Sequence, residues 1–516
     1  MGENAFWSYA AERPSRVAAI DASGRTITAG ELCARANRLV NALRRRGIRH
    51  GDAIAVLLEN RIEFLELYFA ATQAGWYITP INTHLSSREV AYILQDCEAK
   101  AFFCSEQTAA LAGEAADQVG FGHSARYATS ATESFASIES LIENASAEAP
   151  IERVAGAAMT YTSGTTGHPK GVRRPLAAEV TPEVAAERNA LFLSLFGITP
   201  HDGVHLVSSP LYHTAVLNFC TNHMHFGHTV VLTDKWSPEA MLRQIARYRI
   251  TSSHMVPTQF RRLLALPTEA RNAYDISSLK QMIHSAAPCP IDIKRKMIEW
   301  WGPVILEYYA ASEGGGTMIA SDEWLKHPGS VGRAWPISKI RILRDDATEC
   351  QPREVGTVYM SMAGHKFEYF KDKAKTQSSW QGDEFTVGDA GYLDEDRYLY
   401  LCDRKSDMII SGGVNIYPAE IEAVLALHPK VGDVAVFGIP DDDWGEQIKA
   451  VIEPSEGVTA SAALADELIG YCREQIAAFK CPRSIDFCDA LPRDPNGKLY
   501  KRKLRDPYWA DRPTQI

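Results

Sequence analysis

Residues 26 to 60 read TITAGELCARANRLVNALRRRGIRHGDAIAVLLEN. A polar start precedes apolar residues at helical spacing, a glycine ends the run, and a short apolar stretch follows. That order is helix, turn and buried strand. The pattern recurs in EFLELYFAATQAGWYITPIN and in PEAMLRQIARYRITSSHMVP, where amphipathic helices feed short β-branched runs. Helices alternating with buried strands specify an α/β fold of layers around a largely parallel sheet.

Moving outward, the polar, small-residue stretch from Ala128 to Arg153 reads as a surface excursion. Further on, GDEFTVGDAGYLDEDRYLYLCD alternates turn residues with β-prone ones and predicts a β-rich subdomain. A boundary falls between Asp403 and Ser406, which divides the chain into a large N-terminal domain, 1–404, and a small C-terminal domain, 405–516. The 516 residues are several times the ~150-residue domain prior.

Composition excludes several classes of function. Apolar residues make up 46% and charged residues 23% of the chain, and no apolar run reaches the ~18 residues of a bilayer span. Lys and Arg total 54 against 64 Asp and Glu, a net charge of −10, which opposes a general grip on nucleic acid. The opening MGENAFWSYAAERP lacks a signal peptide's apolar stretch, Phe6 stands where a myristoylation signal wants Ser or Thr, and PTQI is neither a prenylation box nor a peroxisomal tripeptide. A cytoplasmic protein is expected. The ten cysteines form no CxxC pair and no Cys/His cluster at zinc spacing, so they read as reduced, buried residues.

Chemistry concentrates first in Tyr161-Thr-Ser-Gly-Thr-Thr-Gly-His-Pro-Lys-Gly171. Gly164, Gly167 and Gly171 admit close backbone approach, Thr162, Ser163, Thr165 and Thr166 bring hydroxyls, and Lys170 brings a positive charge. Those are the parts of a phosphate cradle. Pro169 directly before the lysine, with no Gly-Lys-Ser/Thr after a four-residue spacer, sets it apart from a Walker A loop.

This stretch resembles the signature loop of the adenylate-forming superfamily, which includes acyl-CoA synthetases, peptide-synthetase adenylation domains and luciferases. Further motifs follow in order along almost the whole chain. The resemblance implies a large domain of layered mixed sheets with helices, and a small mobile α+β domain at the C-terminus.

Residue by residue, the resemblance implies these roles. In Glu307-Tyr-Tyr-Ala-Ala-Ser-Glu313, Tyr309 stacks on adenine, Ser312 takes the place of the usual threonine, and Glu313 is the Mg²⁺-associated carboxylate, with Thr166 beside it. Ser285, Ala286 and Ala287 line the adenine slot. Asp389 holds both ribose hydroxyls, and Arg404 is its partner. Asp403 stands where the family often has glycine, and Lys405 with Ser406 marks the hinge. Gly413 leaves room for the pantetheine arm of CoA, and Lys498, in Pro495-Asn-Gly-Lys498, is the catalytic lysine of adenylation.

The implied reaction is ATP- and Mg²⁺-dependent activation of a carboxylic acid as acyl-AMP, followed by transfer to coenzyme A; a homodimer is compatible with the resemblance. His213, in Pro210-Leu-Tyr-His-Thr-Ala215, holds the aromatic-His position typical of CoA ligases for apolar acids. A hydrogen-bonded core residue is the competing reading of His213, and His284 either borders the acyl pocket or fills the sheet. The absence of an aspartate near His213 disfavours an amino acid. The segments HTAVLNF, HMVPTQF and QMIHSAA predict a greasy pocket for a fatty or bulky apolar acid, of bile-acid, steroid side-chain or aryl type. A luciferase-like oxygenase and a non-catalytic nucleotide binder remain as alternatives, although the latter would be expected to lose Lys498 or Glu313.

Overall fold

The computed structural model describes residues 4–162, 169–177, 179–364, 366–404, 407–412, 414–493 and 499–510. The opening stretch folds as its pattern dictates. Thr28 Oγ1 accepts from the Glu31 amide at 3.3 Å, and the Glu31 carboxylate accepts from the Thr28 amide at 2.9 Å. This reciprocal cap, worth ~1 kcal/mol, starts the helix Ala29–Arg45. Gly47, at φ +90°, turns the chain toward the strand Ala53–Leu57.

That strand is central to a wholly parallel sheet with the strand order Ala136–Ser137, Arg126–Ala128, Ala99–Cys104, Ala53–Leu57, Tyr77–Pro80 and Ala157–Ala158. A second sheet runs Arg333–Ala334, Gly314–Ala320, Ile305–Ala311, Gln281–His284, Ser252–Met255, Val204–Val207, Thr229–Leu232, Val17–Ile20 and Thr26–Thr28. It is parallel through its middle and antiparallel at both ends.

Three helices, Ala29–Arg45, Ile62–Ala74 and Thr214–His225, share one core with residues of both sheets. Ile62–Ala74 departs from the amphipathic expectation: all of its residues are buried. A helix enclosed on every side has no solvent stripe to keep polar. Its Glu66 is consequently neutralised by Arg35, with Nε at 2.5 Å.

The stretch from Ala128 to Arg153 departs from a surface excursion in its first half, which holds the edge strand Ala136–Ser137 and the helix Ile138–Ile142 with Ile138 and Ile142 in the core, while its later part runs irregularly past helix Ala29–Arg45. Asn37 Nδ2 donates to the Ala147 carbonyl at 2.9 Å, and Asn41 Nδ2 donates to that of Ser146 at 2.9 Å. Side-chain amides of one helix thus supply the partners that an irregular backbone lacks.

The β-rich part is an antiparallel sheet built on Gly356–Met362, which pairs with Ser338–Leu343, Glu384–Phe385 and Asp389–Leu393; the last of these pairs with Leu399–Arg404. The C-terminal sheet is organised by the long hairpin Val431–Asp441 and Gly445–Pro454, which shares a core with helices Pro418–Leu425 and Ala462–Gln475. Among the described residues no helix is long and apolar enough to cross a membrane.

Candidate active site

Strands Thr160–Thr162 and Lys170–Arg173 pair antiparallel, with Lys170 opposite Thr162. The phosphate-cradle residues Ser163, Gly164, Thr165, Thr166 and Gly167 lie outside the described residues, as do Gly413, Lys498 and the hinge pair Lys405 and Ser406; of Thr162, only the backbone is described. The Tyr161 hydroxyl donates to Asp96 Oδ2 at 2.6 Å. A Cβ on Gly171 would stand 3.1 Å from the Tyr161 ring, so the small residue here serves packing.

Lys170 is ion-paired with Asp372, whose other oxygen caps the helix Lys373–Ser379 by accepting from the Lys375 amide at 2.8 Å. The Lys170 ammonium holds the Asp372 carboxyl below its ordinary range. Neither Asp372 nor its role was signalled by the sequence. It reaches Lys170 because the strand Glu368–Tyr369 pairs with Lys170–Arg173.

The same strand brings Tyr369, another residue missed by sequence, to Glu313. Its hydroxyl donates to Glu313 Oε1 at 2.7 Å. Burial, followed by the Glu313 charge, pushes the Tyr369 phenol well above its usual range, so it remains a donor. Glu313 is buried at the tip between strands Ile305–Ala311 and Gly314–Ala320, and its second oxygen bonds no other described residue. A buried carboxylate with one oxygen occupied by a neutral donor and the other available fits a Mg²⁺ ion that completes its shell with phosphate oxygens. Next to it, Ser312 Oγ donates to Thr214 Oγ1 at 3.3 Å, which donates to Thr160 Oγ1 at 2.9 Å. Arg174 Nη2 donates to the Ser312 carbonyl at 3.0 Å and fixes that turn.

Three of the sequence-predicted residues meet on one carboxylate. Asp389 and Arg404 are register partners on adjacent strands, with Arg404 Nε 3.5 Å from Asp389 Oδ1. Tyr309 Oη donates to Asp389 Oδ2 at 2.6 Å. Burial raises the Tyr309 phenol well above its usual value, and the Asp389 charge adds to the shift.

Ala286 is exposed and sits at φ +73°, left-handed backbone that a residue with a Cβ rarely adopts. Ser285 Oγ contacts His254 Nε2 at 2.9 Å. Ala287 and His213 are half-exposed, and His213 is the N-cap residue of Thr214–His225 with its ring 4.5 Å from that of Tyr212. His284 fills the sheet. It is wholly buried beside the Lys294–Glu307 ion pair, and burial drives its pKa far down.

A buried polar chain flanks the segments read as greasy. His205 Nδ1 meets Ser252 Oγ at 3.0 Å, Ser252 Oγ meets His223 Nε2 at 3.2 Å, His223 Nδ1 meets His228 Nδ1 at 2.8 Å, and His228 Nε2 meets the Thr199 carbonyl at 2.8 Å.

Asp403 has a clear task. Its Oδ2 accepts from the Ala419 amide at 2.9 Å in the first turn of helix Pro418–Leu425, joining the β-rich sheet to the C-terminal part. Nearby, Arg261 Nη1 lies 3.3 Å from Asp433 Oδ1, while Arg493 Nη2 donates to that same oxygen at 2.9 Å. A cleft of about 2000 Å³ runs between these parts, with Pro169, Tyr212, Gln259 and Arg404 on one side and Asp433 and Lys501 on the other.

The chain matches two family models: AMP-binding enzyme over residues 6–367, and AMP-binding enzyme C-terminal domain over residues 420–498. It is 31% identical over 506 residues to the long-chain-fatty-acid–CoA ligase FadD13 of Mycobacterium tuberculosis, covering 94% of each chain. It is 32% identical over 501 residues to the 2-succinylbenzoate–CoA ligase of Bacillus licheniformis, covering 95% of this chain and 97% of that one. Among solved structures, the o-succinylbenzoate CoA synthetase of Bacillus subtilis in complex with the acyl-adenylate intermediate OSB-AMP superposes with a TM-score of 0.81, at 28% identity and 97% coverage of both chains. An antiparallel hairpin of Thr160–Thr162 with Lys170–Arg173, a buried acidic tip and a carboxylate held by Tyr309 and Arg404 thus lie in a chain matched along nearly its whole length: it belongs to the AMP-binding enzyme family.

Proposed function

We propose that the protein is an AMP-forming acid–CoA ligase. The observation that carries this reading is the meeting of Tyr309, Asp389 and Arg404, in a structure that also places Glu313 and Lys170 on elements linked through the strand Glu368–Tyr369. Asp389 accepts the ribose hydroxyls with Arg404 beside it, and Tyr309 covers one adenine face, with Ser285, Ala286 and Ala287 forming the opposite edge of the slot. Thr162 to Gly167 and Lys170 cradle the triphosphate. Glu313, with Thr166, holds Mg²⁺, which when bound offsets the phosphate charge.

In the first half-reaction an oxygen of the acid attacks the α-phosphorus of ATP, and the bond to pyrophosphate breaks. Gathering negative charge around one phosphorus sets the barrier, so positioned cations and donors provide most of the acceleration. Lys498 meets the carboxylate and the α-phosphate, while His213 and the Ser312 hydroxyl border the acid. In the second half-reaction the CoA sulfur, having lost its proton, bonds to the acyl carbon, and AMP leaves with the electron pair of the broken C–O bond. Gly413 borders the pantetheine arm at this stage. We place the domain join at 404/405, so that 405–516 presents Lys498 and Gly413 in turn. The metabolites involved favour a cytoplasmic enzyme.

The test is pyrophosphate release across a panel of acids, with and without CoA. Acid-dependent pyrophosphate, followed by CoA-dependent AMP and thioester, is the expected result. No CoA-dependent AMP formation with any acid would count against the reading.

A further inference from the structure

The contact between Tyr369 and Glu313 decides how much of the carboxylate is open to a cation. Glu313 is buried, and its Oε1 accepts from Tyr369 Oη at 2.7 Å. Among the described residues no Lys, Arg or His hydrogen-bonds Glu313; Arg174 Nη2 donates to the neighbouring Ser312 carbonyl instead. One oxygen is thus committed to a neutral donor, and no hydrogen-bonded cation offsets the carboxylate.

Tyr369 is held so that it cannot follow a moving Glu313. It is 6% exposed, and its backbone is paired with Val172. Its amide donates to Thr376 Oγ1 at 2.9 Å, while the Asp372 amide donates back to the Tyr369 carbonyl at 3.0 Å. The Phe367 ring packs edge-on at 5.4 Å. A phenol fixed by its strand, by the turn that follows and by a neighbouring ring has few rotamers open to it. Glu313 is constrained from its own side, because Ala311 and Gly314 are register partners on either side of the tip and Arg174 pins the Ser312 carbonyl.

Divalent cations differ in what they ask of a carboxylate. Mg²⁺ demands near-octahedral surroundings and completes its shell with phosphate oxygens and water. Ca²⁺ is larger, takes about six to eight oxygens and often draws both oxygens of one carboxylate. Glu313 can give both of its oxygens only by breaking the Tyr369 bond, and a hydrogen bond to a charged group is among the costlier ones to lose.

Resting on the ligase reading, in which Glu313 holds the Mg²⁺ of the nucleotide, we propose that Tyr369 is a positioning residue for cation choice: by occupying Oε1 it restricts Glu313 to one oxygen and so selects Mg²⁺ over Ca²⁺. Tyr369 acts in this through Glu313 and needs no contact with nucleotide or acid.

The experiment measures binding rather than turnover. Calorimetry follows α,β-methylene-ATP, whose α–β link resists cleavage, into the full-length protein at saturating Mg²⁺ and at saturating Ca²⁺. The wild type is expected to bind the Mg²⁺ complex more tightly by about tenfold to a hundredfold, the worth of the charged hydrogen bond that Ca²⁺ would displace. In Tyr369→Phe the Ca²⁺ complex tightens and the ratio collapses toward one, with the Mg²⁺ affinity changed by less than about threefold. A purely structural role would weaken both complexes alike, so parallel loss, or a ratio unchanged in Tyr369→Phe, would overturn the proposal. Glu313→Gln is expected to lose the discrimination as well; a ratio retained there would place the cation elsewhere and overturn it too. Equal binding of the two complexes by the wild type overturns it even if the phenylalanine variant fails to fold. Failure to bind α,β-methylene-ATP with either metal is a distinct result, which overturns the ligase reading and this assignment with it.

Discussion

Tyr309 and Asp389 lie 80 positions apart in the chain and are joined by a 2.6 Å hydrogen bond from the phenol to Oδ2, while Arg404 holds the other oxygen at 3.5 Å. The carboxylate proposed to receive ribose is therefore oriented by protein groups alone. Asp389→Asn retains the shape but loses the charge and one acceptor. It is expected to lower kcat/KM for ATP by about tenfold to a hundredfold, the cost of a charged hydrogen bond, with little change in KM for the acid. Steady-state kinetics with each substrate varied in turn checks the split, and a loss confined to the acid would contradict the role.

On the proposed mechanism, Lys498 separates the two half-reactions. Lys498→Ala should abolish pyrophosphate release, by about a hundredfold or more for a positioned donor of this type, while still converting a supplied acyl-adenylate and CoA to thioester. Stopped assays of each half-reaction provide the measurement. Parallel loss of both would mean that Lys498 serves the fold or both steps alike.

Lys170 is engaged by Asp372 and must leave it to reach a triphosphate. Asp372→Asn is accordingly expected to lower the KM for ATP by about twofold to fivefold, the modest range of a partly exposed ion pair. An increase in KM would show instead that Asp372 aims the ammonium at the loop.

Six buried imidazoles, His284 among them, set the acid limit. Burial pushes His225 and His254 down to about 3 and His228 to about 4, and His205 and His223 are also far below their ordinary value. Each stays neutral in the fold but takes a proton when unfolded below ~6.5, so stability is complete above that pH and lost as the pH falls through it toward 4. Each group contributes up to ~1.4 kcal/mol per pH unit in that window. Thermal melts from pH 8 to 5 should be flat above 7 and fall steeply below 6.5; a constant melting temperature would refute the assignment.

The alternation of helix and strand was legible from residues 26–60 because a capping pair, a helical period and a glycine stop all agree locally. The placement of Asp389 beside Arg404 was legible only from motif resemblance, since their pairing is a matter of sheet register. Tyr369 and Asp372 were hidden because one short strand pairing carries them to Glu313 and Lys170. The polar chain through His205, Ser252 and His223 was hidden for another reason. His205 and Ser252 are register partners on two parallel strands and His223 lies on a helix, and the linear order does not reveal that their side chains share one face.

The bond from the Ala419 amide to Asp403 has a mechanical consequence. Asp403 lies before the proposed hinge at Lys405 and Ser406 and Ala419 after it, so a large rotation there would separate donor from acceptor. On the proposed two-body mechanism the joint would act as a detent rather than a free swivel, with about 1.5–3 kcal/mol needed to part helix Pro418–Leu425 from its carboxylate. A glycine at this position would turn without a stop.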